Sequence, residues 1–200
     1  MKSSYLSAQR FYSEKAETFF EETLKIDLSL SYEVFLERLS SDACILDLGC
    51  GSGRDSKNFR KQGYSVESWE PNEKLACLAE SYLNFAVKRA SSYQLTSFNK
   101  YHGIWASASL LHLDLEDFCK TLHSIKNALK PRGVFYTSFK WGSKDFCRDG
   151  RFFLVMNEEK LFHCFEKVDG LSILEIRKRA DHRSDRNGEY WLECIAIRSS

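Results

Sequence analysis

Residues 45–55, Ile-Leu-Asp-Leu-Gly-Cys-Gly-Ser-Gly-Arg-Asp, set Gly49, Gly51 and Gly53 at alternate positions behind the acid Asp47. Glycines so spaced let backbone approach a ligand closely, and the N–H groups of a following helix then face it. Glu70 stands 21 residues beyond Gly49. At about that separation an acid in a nucleotide-binding α/β unit accepts hydrogen bonds from ribose hydroxyls and repels a 2′-phosphate. A dinucleotide turn reads G-x-G-x-x-G, yet the sixth position is Arg54 counted from Gly49 and Ser56 counted from Gly51. That weakens the pyrophosphate reading. An acid followed by G-x-G-x-G suits a cofactor with an amino-acid tail and no phosphate. Cys50, inside the turn, reads as a small filler rather than a nucleophile. His112 offers either a general base or an orienting hydrogen bond.

Such residues act only if strands and helices deliver them. The run Ala43 to Leu48 is a short apolar strand feeding the glycine turn, and residues 54–62 are a polar helix. Strands are predicted over 64–69, 85–87, 103–107, 134–139, 171–177 and 190–198, and helices over 72–82, 115–129 and 158–167. Asn72 suits the N-cap of its helix. Apolar residues at three- and four-residue spacing make 5–24 an amphipathic helix, and the pattern repeats over 30–39. Lys130 to Gly133 is a turn, and residues 140–153 are an insertion with an Asp149-Gly150 turn. Strands alternating with helices imply a parallel sheet covered on both faces, and two successive strands at the end imply an antiparallel hairpin.

Composition bounds the rest. The 200 residues fit one domain, 1–200. With 29 basic and 28 acidic side chains, the chain does not bind nucleic acid or anionic lipid through bulk charge. Arg177 to Arg186 is basic but interrupted by Asp181 and Asp185, and reads as a solvated loop. Seven scattered cysteines without a C-x-x-C pair argue against a disulfide framework or a metal site, and fit a cytoplasmic setting. No apolar h-region opens the chain, and no stretch approaches the ~20 apolar residues of a membrane span.

From Ile45 to Asp55, with Glu70, the segment Gly103 to Ser107 running into Leu111-His112, and Leu129 to Val134, the chain resembles class I S-adenosylmethionine-dependent methyltransferases. The resemblance runs in order over roughly residues 5–198. It is strongest to small methyltransferases of the tellurite-resistance type, whose lid helix Phe11 to Phe20 is similar to. It implies a seven-stranded, mostly parallel, Rossmann-like sheet with a C-terminal antiparallel hairpin, residues 1–40 as a helical lid, and S-adenosylmethionine as cofactor. By the same resemblance Asp47, Gly49, Cys50, Gly51 and Arg54 serve the cofactor. Glu70 holds its ribose, with Pro71, Ser91, Ser92 and Tyr93 around the adenine. Ala106, Ser107 and Leu111 floor the pocket, and Tyr12 approaches the methionine end or the acceptor. Position 102 is His where relatives often have Asp. His112, Tyr12, Lys140 and Arg151 are the candidates for the acceptor side.

Methyl transfer from a sulfonium needs alignment and desolvation rather than an obligatory base. No Asn/Asp-Pro-Pro-aromatic stretch follows the fourth strand, and neither Pro71 nor Pro131 precedes a cysteine; both absences point away from DNA methylation. With only the lid and the 140–153 insertion to build a pocket, the acceptor is expected to be a small molecule. Lys140 is expected to point inward, toward an anionic or planar acceptor. The competing readings are an NAD-dependent oxidoreductase and a non-catalytic S-adenosylmethionine-binding protein.

Overall fold

Alternate side chains along the strands enter two different apolar layers, as the period of two requires. The computed structural model describes residues 3–181 and 188–200. Strands β1 (Cys44–Leu48), β2 (Ser65–Trp69), β3 (Val87–Lys88), β4 (Tyr101–Ala106) and β5 (Leu129–Trp141) are parallel. Strands β6 (Phe146–Arg148) and β7 (Arg151–Phe153) form a separate antiparallel hairpin, and β8 (Val155–Met156) adds to the end of β5. The main sheet runs β3-β2-β1-β4-β5-β10-β9, with β9 (Leu171–Ala180) and β10 (Tyr190–Arg198) at the edge. Strand β10 is antiparallel to both β5 and β9, so the mixed sheet with a closing hairpin matches the sequence expectation.

One layer joins Leu46, Ile104, Phe135 and Cys194 to α6 (Leu115–Ala128) and α7 (Glu158–Phe165). The other joins Ile45, Trp105, Tyr136 and Ile195 to Phe35 and Phe59, on α3 (Ser29–Leu36) and α4 (Arg54–Lys61). Helix α5 (Glu73–Leu83) begins after Asn72, whose side chain accepts from Leu75 N–H as an N-cap. Asp149 and Gly150, at φ +52° and +73°, make the tight turn between β6 and β7.

Several expectations need correction. The 5–24 helix is two helices, α1 (Ser3–Glu14) and α2 (Ala16–Leu24), broken at Lys15; the break sets Phe19 edge-on against Tyr12, with ring centroids 4.9 Å apart. Residues 130–133 belong to β5, which follows α6 directly and slips in register against β4 there. Cys119 and Cys164 form a disulfide between α6 and α7, whereas the scattered spacing suggests unpaired thiols. The basic stretch is not a solvated loop throughout: Arg177 to Ala180 are the end of β9, where Arg177 and Arg179 pair with buried Glu193 at 3.1 and 2.9 Å, and residues 182–187 lie outside the described residues. Among the described residues no helix is long and apolar enough to cross a membrane.

Candidate functional site

A cavity of about 490 Å³ opens over the carboxyl ends of β1, β2 and β4, walled by α1 and α2 on one side and the β6–β7 hairpin on the other. The glycine turn forms its floor. Gly49 and Cys50 N–H both donate to the Trp69 carbonyl at 2.8 Å, which ties the turn to β2. Gly49 has φ +81°, and a Cβ there would lie 2.5 Å from Ser109 Cβ. Gly51 has φ +54°, and a Cβ would meet only Phe19 Cε1, at 3.5 Å across the cavity.

Glu70 sits at the next strand end, buried, and accepts from Gly51 N–H at 3.0 Å and Asn72 N–H at 2.8 Å. Burial pushes its pKa up to about 7, against those two bonds. Each carboxylate oxygen keeps a second acceptor site. Asn72 is spread over three tasks: besides capping α5 it donates from Nδ2 to the Gln9 carbonyl and Ser13 Oγ, at 3.0 and 2.8 Å, on α1. Arg54 reaches α2 through the Thr23 carbonyl at 3.0 Å and pairs with Asp55 at 2.5 Å. Asp55 also accepts from Tyr32 Oη and Trp105 Nε1. Burial opposes its charge, but Arg54 and these bonds hold its pKa below the usual carboxylate range.

At the far end, Tyr12 on α1 lies 2.8 Å from His112 Nε2, and His112 Nδ1 lies 2.7 Å from the Phe152 carbonyl. A carbonyl only accepts, so Nδ1 carries the proton and Nε2 accepts from the tyrosine. Burial lowers the His112 pKa to about 4, with Arg151 adding to the fall, so the ring is neutral. The Arg151 guanidinium lies 3.5 Å from the Phe11 ring centre. Lys140 is buried and contacts Asp181 and Glu189, each at 2.7 Å.

Fourteen predicted residues share this cavity: Tyr12, Gly49, Cys50, Gly51, Arg54, Glu70, Pro71, Ser91, Ser92, Ser107, Leu111, His112, Lys140 and Arg151. Three lie outside its lining. Asp47 is beneath the turn, accepting from Ser56 Oγ at 2.6 Å, and its pKa is raised by burial and then by Asp55. Ala106 is buried in the apolar layer. Tyr93 turns away, donating to Asp117 at 2.9 Å and packing on Tyr5. His102 is at the opposite end of the sheet, where Nδ1 accepts from Cys44 N–H, a structural role. Lys140 does point inward, but two carboxylates already neutralise it. Sequence reasoning misses Phe19, Ser109, Ser138, Asp181 and Trp191 in the lining. A signal for the last two exists: a strand antiparallel to β5 must start beside the end of β5, and Trp191 indeed pairs with Lys140.

A family described as a methyltransferase domain matches residues 20–141. N-terminal Xaa-Pro-Lys N-methyltransferase 2 of Danio rerio is 27% identical over 198 residues, a match covering 89% of this chain and 71% of that protein. The 1,6-didemethyltoxoflavin-N1-methyltransferase of Burkholderia thailandensis, whose structure holds 1,6-didemethyltoxoflavin and S-adenosylhomocysteine, shares the fold at TM-score 0.79 and 18% identity, covering 100% of this chain and 92% of that one. A SAM-dependent methyltransferase of Methanosarcina mazei does so at TM-score 0.75 and 19% identity, covering 87% and 99%.

Proposed function

Because the chain belongs to the methyltransferase-domain family and is an S-adenosylmethionine-dependent methyltransferase, we propose that its acceptor is a small molecule methylated by direct displacement in the cavity beside the donor. The observation that carries this reading is one shared cavity. Its volume, about 490 Å³, has the glycine turn and Glu70 at one end and Tyr12, His112 and Arg151 at the other. Donor and acceptor must share a space in the usual range for small-molecule sites, which leaves little room for a bulky acceptor.

The residues present fit the cofactor. A Cβ at Gly51 would project toward Phe19 across the space, so bare backbone there leaves room for the methionine part along Gly49, Cys50 and Gly51. Glu70 has two free acceptor sites for ribose hydroxyls, with Pro71, Ser91 and Ser92 around the base. Ser107 and Leu111 floor the pocket. When bound, S-adenosylmethionine supplies a methyl group on a cationic sulfur. The chain aligns the acceptor and excludes water. His112, neutral and bonded on both nitrogens, orients Tyr12 and brings no cation toward that sulfur. Asp47, Tyr93 and Ala106 act behind the cofactor, holding the turn, the loop and the strand end.

Of the lid expected over residues 1–40, residues 3–24 act as the lid of a single domain, because α3 packs Tyr32, Phe35 and Leu36 into the core. The narrower likeness to tellurite-resistance-type methyltransferases rests on this segment alone. Calorimetry with S-adenosylhomocysteine and with NAD tests the cofactor, with micromolar binding of the first expected; NAD binding alone would refute the reading. Transfer of labelled methyl to small molecules, set against an Ala-Pro-Lys peptide of the kind the Danio rerio relative is named for, tests the acceptor. Turnover of the peptide and of no small molecule would overturn the proposal.

A further inference from the structure

Resting on that reading, the charges at the acceptor end narrow the substrate further. Lys140, Arg148, Arg151 and Arg179 all line it. Three of these cations are answered by carboxylates that are themselves buried or half-buried. Lys140 is held by Asp181 and Glu189, Arg148 by Glu189 at 3.1 Å, and Arg179 by Glu193 at 2.9 Å.

Arg151 differs. Its side chain is 12% exposed, while its carboxylate contact, Asp149, is 60% exposed and 3.3 Å away. Its Nε is buried without a hydrogen-bond partner. The Phe11 ring centre lies 3.5 Å from the guanidinium carbon and attracts its charge, but it offers the N–H groups no lone pair. The neutral Tyr12 hydroxyl accepts from the guanidinium and gives its own proton to His112, so it answers one N–H but brings no counter-charge. His112 has no lone pair left, since Nε2 accepts from Tyr12 and Nδ1 donates to Phe152. A guanidinium carries five donors in a fork that matches a carboxylate. The exposed Asp149 at 3.3 Å and the uncharged Tyr12 hydroxyl leave the buried Nε unanswered and the charge only weakly compensated, which is unfavourable out of water. Aromatic rings surround the place: His112 packs edge-on against Tyr12 and Phe153, at 5.6 and 5.0 Å.

We propose that the acceptor is a small planar carboxylate, its acid group bound by Arg151 and its apolar part lying among Tyr12, His112 and Phe153. The carboxylate is a recognition group here, and the proposal concerns binding. A peptide amino terminus bearing lysine would bring further positive charge to the same end.

The test uses the full chain loaded with S-adenosylhomocysteine and calorimetry with matched pairs: indole-3-acetate against indole-3-acetamide, and salicylate against salicylamide. An Ala-Pro-Lys tripeptide is the cationic arm. Acids should bind at least about tenfold tighter than their amides, the margin of a charge-assisted contact over a neutral one. Arg151→Met should erase the preference and Arg151→Lys should keep part of it. Equal affinity of acid and amide, an acid preference that survives in Arg151→Met, tighter binding of the tripeptide, or no binding by either acid overturns the proposal. The wild-type pairs decide even if a variant folds poorly. Failure of S-adenosylhomocysteine itself to bind would instead strike the methyltransferase reading, so the two failures are distinct.

Discussion

Glu70 should make cofactor affinity depend on pH across neutrality. Its carboxyl is buried, and burial raises its pKa from 4.5 to about 7. Ribose hydroxyls donate best to the ionised form, so binding selects the carboxylate and expels any proton on it. With a pKa near 7 the ionised fraction is about nine-tenths at pH 8 and about one-tenth at pH 6. S-adenosylhomocysteine should therefore bind about tenfold more weakly at pH 6 than at pH 8. Calorimetry at pH 7 in buffers of different ionisation enthalpy should show release of about half a proton. Stability of the ligand-free protein moves the opposite way. A carboxyl raised above its unfolded value contributes fully below pH 4.5 and loses that contribution as pH climbs through about 7, a swing of about 3 kcal/mol. Burial raises Asp47 too, with the same sign, so a variant must separate them. Glu70→Gln presents one acceptor oxygen to two backbone donors, Gly51 and Asn72 N–H. It should lose about 1–3 kcal/mol of binding or stability and flatten the pH profile. A wild-type affinity that is level between pH 6 and 8, or a slope unchanged in Glu70→Gln, would refute the assignment.

Asn72→Ser keeps an N-cap for α5 but removes both Nδ2 donors to α1; amide exchange over residues 3–14 should quicken about tenfold while 73–83 stay protected. Equal change in both segments would mean the side chain only caps. Tyr12→Phe strips the buried His112 Nε2 of its donor. A loss of about 1–2 kcal/mol should lower the melting temperature by roughly 2–8 °C, and an unshifted melt would refute the pairing. Gly49→Ala meets both φ +81° and the Ser109 Cβ at 2.5 Å, so the melt should fall by more than about 5 °C. Adding Ser109→Gly should recover only part, because the backbone strain stays; full recovery would show that contact alone forbids the side chain.

The sheet is readable because its information is local: two-residue alternation along β1, β4 and β5, the Asn72 cap, and the Asp149-Gly150 turn each announce themselves within a few residues. The glycine-turn end of the cavity is readable for the same reason, since Gly49 to Gly51 and Glu70 lie on two consecutive strand ends. What stays hidden depends on register or distance. The 5–24 stripe continues through Lys15, so only the docked position of Phe19 on Tyr12 shows two helices. Cys119 and Cys164 lie 45 residues apart on different helices. The partners of Lys140 arrive from the β9–β10 edge, through a pairing of Trp191 with Lys140 that no single segment encodes. Tyr93 sits on a loop that suggests an adenine contact, yet Ser91 and Gln94 box the 3-10 turn Ser92–Gln94 and turn its ring outward.

Helices α1 and α2 are 12 and 9 residues long, and Lys15 gives the second no side-chain cap. Helices of that length are marginal in water on their own, so their order depends on the wall they form against Asn72, His112, Arg54 and Arg151. Releasing them amounts to melting rather than to the swing of a rigid cover. Each freed residue regains roughly 1–2 kcal/mol of backbone entropy at room temperature, which offsets part of the packing given up. Warming should therefore favour the open cavity and cooling the closed one. Entry and exit of anything the cavity holds should carry the steep temperature dependence of a small unfolding reaction.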